Sequence, residues 1–119
     1  MTEALYDQLG GNAGIDTLVD RIVDLHLVNP TVSTRFAHSD IDRGRAMAKE
    51  FFAMGSGGPV HYTGKSMPEA HAGMNISEQE FLAVVDDMMQ AMTELGYDDA
   101  ARSQVLAIAY SLKGGIIRQ

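Results

Sequence analysis

Apolar side chains recur every three or four residues in four long stretches of the chain, a spacing typical of amphipathic α-helices. The stretches cover residues 13–28, 41–54, 78–95 and 98–113. The third has the clearest pattern, with apolar side chains at Phe81, Val84, Val85, Met88, Met92 and Leu95. No stretch alternates polar and apolar residues over the length of a strand. The pattern therefore predicts an all-α fold, in one domain that covers residues 1–119.

Glycine, proline and capping residues mark the predicted helix ends. The pair Gly10-Gly11 closes a short first helix, and Ser77 begins the 78–95 helix with a capping box completed by Glu80. The run from Gly55 to Pro59 breaks the middle of the chain. A regular four-helix bundle would not need this glycine loop or the very short helix predicted before Gly73. We therefore expect two packed helix pairs.

Composition narrows the functional classes. Nine basic against sixteen acidic residues give a net charge of −7, which argues against non-specific nucleic-acid binding. No apolar run approaches the roughly 18 residues that span a bilayer. The beginning of the chain shows no secretory signal, so we expect a cytoplasmic protein. The absence of cysteine excludes disulfides, thiolate metal sites and cysteine nucleophiles.

One histidine lies in an apolar helical setting. Helical spacing puts Met67, His71 and Met74 on one face, Pro68 suits the first turn, and Gly73 can end the helix. His71 is interpreted either as a core histidine with a satisfied hydrogen bond or as a ligand to haem iron. By contrast, His26 is expected at the surface or at the boundary between surface and core. Nothing in the sequence around His38 or His61 indicates that they are buried or bind a ligand. No nucleophile paired with a base is recognisable.

Four segments in order carry a family resemblance: Leu5-Tyr6-Asp7-Gln8-Leu9-Gly10-Gly11, Phe36-Ala37, Gly57-Gly58, and Tyr62-Thr63-Gly64-Lys65-Ser66-Met67-Pro68-Glu69-Ala70-His71. With these segments the chain resembles the truncated haemoglobins of the first group over nearly its whole length. The resemblance implies a two-over-two helical sandwich around haem b (protoheme IX). It also implies that His71 is the proximal iron ligand and that Phe36 packs on the porphyrin.

The resemblance gives further candidates for cofactor binding. The expected cofactor-binding residues are Val23, Phe36, Met47, Ala48, Phe51, Lys65, Met67 and Met74. Lys65, Lys49 and Arg45 are the candidates to pair with the haem propionates through charge-assisted contacts.

The ligand side departs from the family pattern. Val23 stands where many relatives have a tyrosine, and Gly44, Met47 and Ala48 occupy the region where relatives carry glutamine or histidine. None of these side chains has an N–H or O–H donor. Losing two or three donors weakens oxygen retention by a factor on the order of 10 to 1000. We therefore expect an apolar distal pocket, fast oxygen release and easy autoxidation.

Several functions remain open at this stage. The leading hypothesis is reversible binding of oxygen or another diatomic gas (CO or NO) at an iron held by His71. A six-coordinate redox, electron-transfer or sensing protein, with Met47 or Lys49 as the sixth ligand, is the first alternative; Met47 is otherwise a packing residue. Nitric oxide dioxygenation with an unknown reductase, a peroxidase-like side activity and a haem-free helical interaction module are the others.

Overall fold

The computed structural model describes residues 4–119 and consists of α-helices joined by turns. The helices are α1 (Leu5–Gln8), α2 (Gly11–Val28), α3 (Ile41–Gly55), α4 (Met67–His71), α5 (Glu78–Glu94) and α6 (Asp99–Leu112), with 3₁₀ turns at Ser33–Phe36 and Lys113–Gly115. The predicted all-α class and the four long helices are confirmed, with helix ends shifted by at most two residues. Residues 1–3, included in the predicted domain and in the search for a signal, lie outside the described residues. No helix in 4–119 has both the length and the apolarity to cross a membrane.

Helix α2 is the centre of the core. It packs against both α3 and α5, and α5 packs in turn against α6, which gives the expected helix pairs. The largest side chains with less than 2% exposure are Leu9, Ile15, Leu18, Val19 and Met92. Three of these five belong to α2. Because each large aliphatic side chain contributes about 1.5–3 kcal/mol when fully buried, the apolar stripe of α2 contributes substantially to stability.

The start of α2 packs closely against the end of α1. Gly10 takes a left-handed conformation at φ 96°, which glycine adopts without strain. A Cβ atom added at Gly14 would lie only 2.0 Å from the carbonyl oxygen of Leu9. That oxygen also accepts a 2.6 Å hydrogen bond from the Tyr97 hydroxyl. One backbone carbonyl therefore joins α1, α2 and the loop between α5 and α6.

Helix α4 is held by the end of the chain. Ser66 caps it by accepting a hydrogen bond from the Glu69 backbone N–H. The C-terminal residues pair with the segment after α4: Asn75 N–H donates to the Gln119 carbonyl and Arg118 N–H to the Ile76 carbonyl, both at 2.9 Å. A helix of five residues is not stable alone in water. The position of α4 therefore depends on these contacts, which the sequence pattern did not predict.

The predicted connector after α2 contains a 3₁₀ turn that carries an ion pair. Arg35 Nε and Nη2 donate to the two carboxylate oxygens of Glu80 at 2.5 and 2.9 Å, and Nη1 donates to the Met74 carbonyl at 2.9 Å. Glu80 also completes the predicted capping box with Ser77, which is confirmed. The Arg35 hydrogen bond is the main cause that lowers the pKa of Glu80 from 4.5 to about 2. One carboxylate thus joins the connector, the loop after α4 and the start of α5.

Substituting two helical glycines tests the close packing of α1 and α2. Gly14→Ala should destabilise the protein by about 1–3 kcal/mol, because the new methyl group overlaps the Leu9 carbonyl. Gly44→Ala is the matched control: Gly44 lies within α3, and an added Cβ meets nothing within 4 Å. It should stabilise by about 0.5–1 kcal/mol, since alanine favours the helix. Urea unfolding midpoints measure both, and shifts of the same sign would contradict this packing.

Glu80→Gln tests the Arg35 ion pair. Glutamine can still reach back to the Ser77 N–H, so the substitution removes the charge and retains the cap. Because the folded-state pKa of Glu80 is lowered, its stabilisation is fully present above about pH 4.5 and is lost as the pH falls through about 2. Unfolding free energies should therefore differ by about 1 kcal/mol at pH 7 and converge near pH 2.

The control for that measurement is Glu78→Gln, at an exposed glutamate whose partner Lys113 lies 3.7 Å away. This substitution should change the unfolding free energy at pH 7 by less than about 0.5 kcal/mol. Equal losses in the two variants would show that the Arg35 pair adds nothing to an ordinary surface charge.

Candidate functional site

A cavity of about 290 Å³ opens between the end of α3, α4, α5 and α6. Most of its wall is apolar. The apolar side chains that helices α3 to α6 contribute include Phe51, Phe52, Met67, Phe81, Val84, Val85, Met88, Val105, Ile108 and Leu112. Its polar side chains are His71, Arg35, Glu80 and Ser56. Arg35 and Glu80 satisfy each other, and the Ser56 hydroxyl donates to the Ala53 carbonyl. Among residues 4–119, His71 therefore offers the nitrogen that is left for a ligand of this first cavity.

The tautomer of His71 is fixed by its own helix. Its Nδ1 atom lies 2.8 Å from the carbonyl oxygen of Met67, one turn earlier. A carbonyl oxygen only accepts, so Nδ1 carries the proton and Nε2 presents a lone pair. No group in residues 4–119 hydrogen-bonds that Nε2 atom. A neutral imidazole with Nδ1–H donated to a carbonyl is the form in which histidine binds metals.

A second cavity of about 330 Å³ lies between α2, α3 and α5. Four side chains line both cavities, so the two spaces adjoin: Phe36, Phe52, Val84 and Met88. The polar side chains on the second cavity are His26, Ser39, Asp40 and Arg45. The two cavities are therefore adjacent compartments with different chemistry, one with His71 and one with His26.

The residues predicted for the cofactor site fall into three groups. Phe51, Met67 and Met74 line the first cavity together with His71, and Phe36 lines both cavities. Val23 and Ala48 line the second cavity, as does Gly44. Met47 is half-buried and Lys65 is exposed, and neither lines either cavity. The structure thus brings together six of the eight candidates around the two compartments.

The three basic candidates differ in their partners. Arg45 donates to Asp24 at 2.6 Å and to Asp20 at 3.3 Å, and the Asp24 bond is the main cause of its raised pKa. Lys49 Nζ lies 3.1 Å from the same Asp20 carboxylate. Lys65 has no acidic partner among residues 4–119, and the Tyr62 hydroxyl donates to its backbone carbonyl at 2.8 Å. Of the three, only Lys65 forms no ion pair with a carboxylate in the described part of the chain.

The expectation for His26 is wrong. This residue is 7% exposed, and its Nδ1 atom lies 2.7 Å from Oδ2 of the buried Asp87. The Asn29 side-chain amide donates to both Asp87 oxygens at 3.1 and 3.2 Å. The ring of His26 stacks on Phe36 with centroids 6.0 Å apart. The signal was in the sequence, because His26 follows Ile22 by four residues and so lies on the buried face of α2.

The residues of the first cavity fit a haem group. Haem requires an apolar slot and an axial ligand with a free lone pair, and the cavity provides both through its aliphatic and aromatic wall and through His71 Nε2. The uncommitted Lys65, two residues before the cavity-lining Met67, supplies a cation for the acidic edge of such a group.

Comparisons with known proteins agree with this geometry. A sequence model of the family described as bacterial-like globin matches residues 4–117. The group 1 truncated haemoglobin of Tetrahymena pyriformis is 31% identical over 106 residues, which are 89% of this chain and 88% of that protein. The corresponding protein of Synechocystis sp. is 30% identical over 109 residues and 88% of each chain.

Solved structures support the same family assignment. The crystal structure of truncated haemoglobin from Tetrahymena pyriformis in its Fe(III) form aligns with a TM-score of 0.95 at 28% identity, over 98% of this chain and 100% of that chain. The expected truncated-globin sandwich is thereby confirmed. The chain belongs to the bacterial-like globin family and, within it, to the group 1 truncated haemoglobins, which are haem globins.

Proposed function

We propose that this chain holds haem b in the first cavity with His71 Nε2 as the iron ligand, and that it reversibly binds oxygen or another diatomic gas on the opposite side. The observation that carries the proposal is the 2.8 Å hydrogen bond from His71 Nδ1 to the Met67 carbonyl, which leaves Nε2 free to bind metal. When bound, the haem iron supplies the open coordination position that a gas ligand occupies.

The residues around the first cavity hold and shield the group. Phe36, Phe51, Met67 and Met74 provide apolar contact area and exclude water. Phe51 is itself fixed by an edge-to-face contact with Tyr62, with ring centroids 5.3 Å apart. Lys65 pairs with a propionate, which is supported by its lack of an acidic partner, whereas Arg45 and Lys49 stabilise α3 against α2 through Asp20 and Asp24.

The second cavity is the gas side of the site. Val23, Gly44 and Ala48 line it, and none of them has a side-chain donor. A gas ligand with partial negative charge therefore gains no direct hydrogen bond from these helix positions. We infer fast oxygen release and easy autoxidation, which suits gas transfer better than tight storage.

The six-coordinate alternative has weaker support. Met47 lines neither cavity, which favours a packing role, and Lys49 is engaged with Asp20. Nitric oxide dioxygenation would need a reductase, and no observation favours it over simple gas binding. A cytoplasmic location and an unidentified reductase remain parts of the hypothesis.

His71→Ala tests the iron ligand. The purified variant, expressed with ample haem supply, should lose the Soret band or show it shifted and weakened, because no other imidazole of residues 4–119 lines the first cavity. His61→Ala is the matched control, since His61 is exposed and lines neither cavity, and its absorption spectrum should equal that of the unsubstituted protein. A His71→Ala protein that retained the same pigment and bands would refute the assignment.

Gly44→Gln tests the lack of donors on the gas side. An added side chain at Gly44 has open space, and the amide can donate a hydrogen bond into the second cavity. One neutral hydrogen bond of about 1 kcal/mol should slow oxygen dissociation about fivefold. Stopped-flow measurements compare it with Gly44→Ala, which changes the helix without adding a donor. An unchanged rate, or a slowly autoxidising parent protein, would count against the inferred fast release.

A further inference from the structure

A buried imidazole on the second cavity has one nitrogen that the protein leaves without a partner. The His26 side chain is 9% exposed, and its Nδ1 atom is bound to Asp87. Its Nε2 atom makes no hydrogen bond with any residue in the described part of the chain, yet protein atoms do not seal it off. Because His26 lines the second cavity, Nε2 opens onto that space.

The ring cannot turn to exchange its two nitrogens at low cost. Asp87 is 6% exposed, and a carboxylate only accepts hydrogen bonds, so it needs the Nδ1–H of His26 and the amide of Asn29. Stacking on Phe36 restricts the ring further. The hydrogen bonds that link Asn29, Asp87 and His26 therefore keep Nδ1 of His26 on the carboxylate and Nε2 toward the cavity.

We infer that His26 Nε2 binds a water molecule in the second cavity and that this water is the polar contact of the gas ligand. The inference rests on the proposed function, because it takes the second cavity as the gas side. A polar atom that is open to a cavity and has no protein partner is paired with water in most native structures. Water bonds equally to a lone pair or to an N–H at Nε2.

The cavity suits such a water. A buried water needs about 10–15 Å³ of such cavity space and two to four polar partners, and this cavity has about 330 Å³ with Ser39 and Asp40 also on its wall. Val23, Gly44 and Ala48 on this cavity have no side-chain donor, and the donors of Arg45 and Ser39 are engaged with Asp20, Asp24 and the Arg35 carbonyl. A water on His26 thus becomes the hydrogen-bond donor that these positions lack.

The test is the C–O stretching band of the ferrous carbon monoxide complex, measured by infrared spectroscopy in H₂O and in D₂O. The unsubstituted protein should show a band that differs between the two solvents, because an exchangeable hydrogen contacts the ligand. His26→Leu should move the band to higher wavenumber, abolish the solvent difference and raise the oxygen dissociation rate about fivefold, the effect of one hydrogen bond of ~1 kcal/mol.

Two further variants keep the test decisive. His26→Leu leaves Asp87 buried with Asn29 alone, so the double variant His26→Leu/Asp87→Asn is measured as well and should show the same band. Met88→Leu is the control, since it alters the wall shared by the two cavities without removing a polar group. Its band should keep the solvent difference.

The outcomes separate the two proposals. Absence of a Soret band in the unsubstituted protein would defeat the proposed function itself. A normal Soret band combined with a C–O band at the same wavenumber in H₂O and D₂O would overturn the inference and leave the haem assignment intact. A C–O band that is identical in the His26 variants would do the same.

Discussion

The hydrogen bond from His71 Nδ1–H to the Met67 carbonyl is the interaction on which the candidate site depends. It fixes which nitrogen is free, and it does so within one helical turn. That turn belongs to a helix of only five residues, which has little stability of its own. The Ser66 cap and the pairing of the C-terminal residues with Asn75 and Ile76 hold it in place. The chemistry of one imidazole therefore depends on the last residues of the chain.

Helix α2 provides both stability and part of the site. Its apolar stripe fills the core with Ile15, Leu18 and Val19, and the same face continues through Val23 to His26 on the second cavity. Burying a histidine at the end of such a stripe requires a partner, which α5 supplies as Asp87. The part of the second cavity's wall that α2 forms is thus a continuation of the core.

The four long helices could be predicted from the sequence because their signals are local, whereas local signals left two interpretations of His71 and the family resemblance favoured the iron ligand. Helical periodicity predicted the four long helices. Met67, His71 and Met74 line one cavity as expected, although the helix ends at His71 and Met74 reaches the cavity from the turn that follows. The pairs formed between distant residues could not be predicted, as with Arg35 and Glu80 or Ile76 and Ile117. The burial of His26 could be predicted from its spacing to Ile22, but its partner Asp87, which lies 61 residues away, could not.

Helix α5 carries the two carboxylates that stabilise the walls of the cavities. Glu80 binds Arg35 at the first cavity, and Asp87 binds His26 at the second. Partly buried charges are costly unless they are paired, so each acid holds its partner in a defined position. The two partners, Arg35 and His26, differ in the hydrogen-bonding groups that remain available. The guanidinium of Arg35 is engaged with Glu80 and the Met74 carbonyl, whereas the imidazole of His26 retains a free nitrogen. The same helix therefore closes the polar wall of one cavity and leaves the other able to bind a further polar molecule.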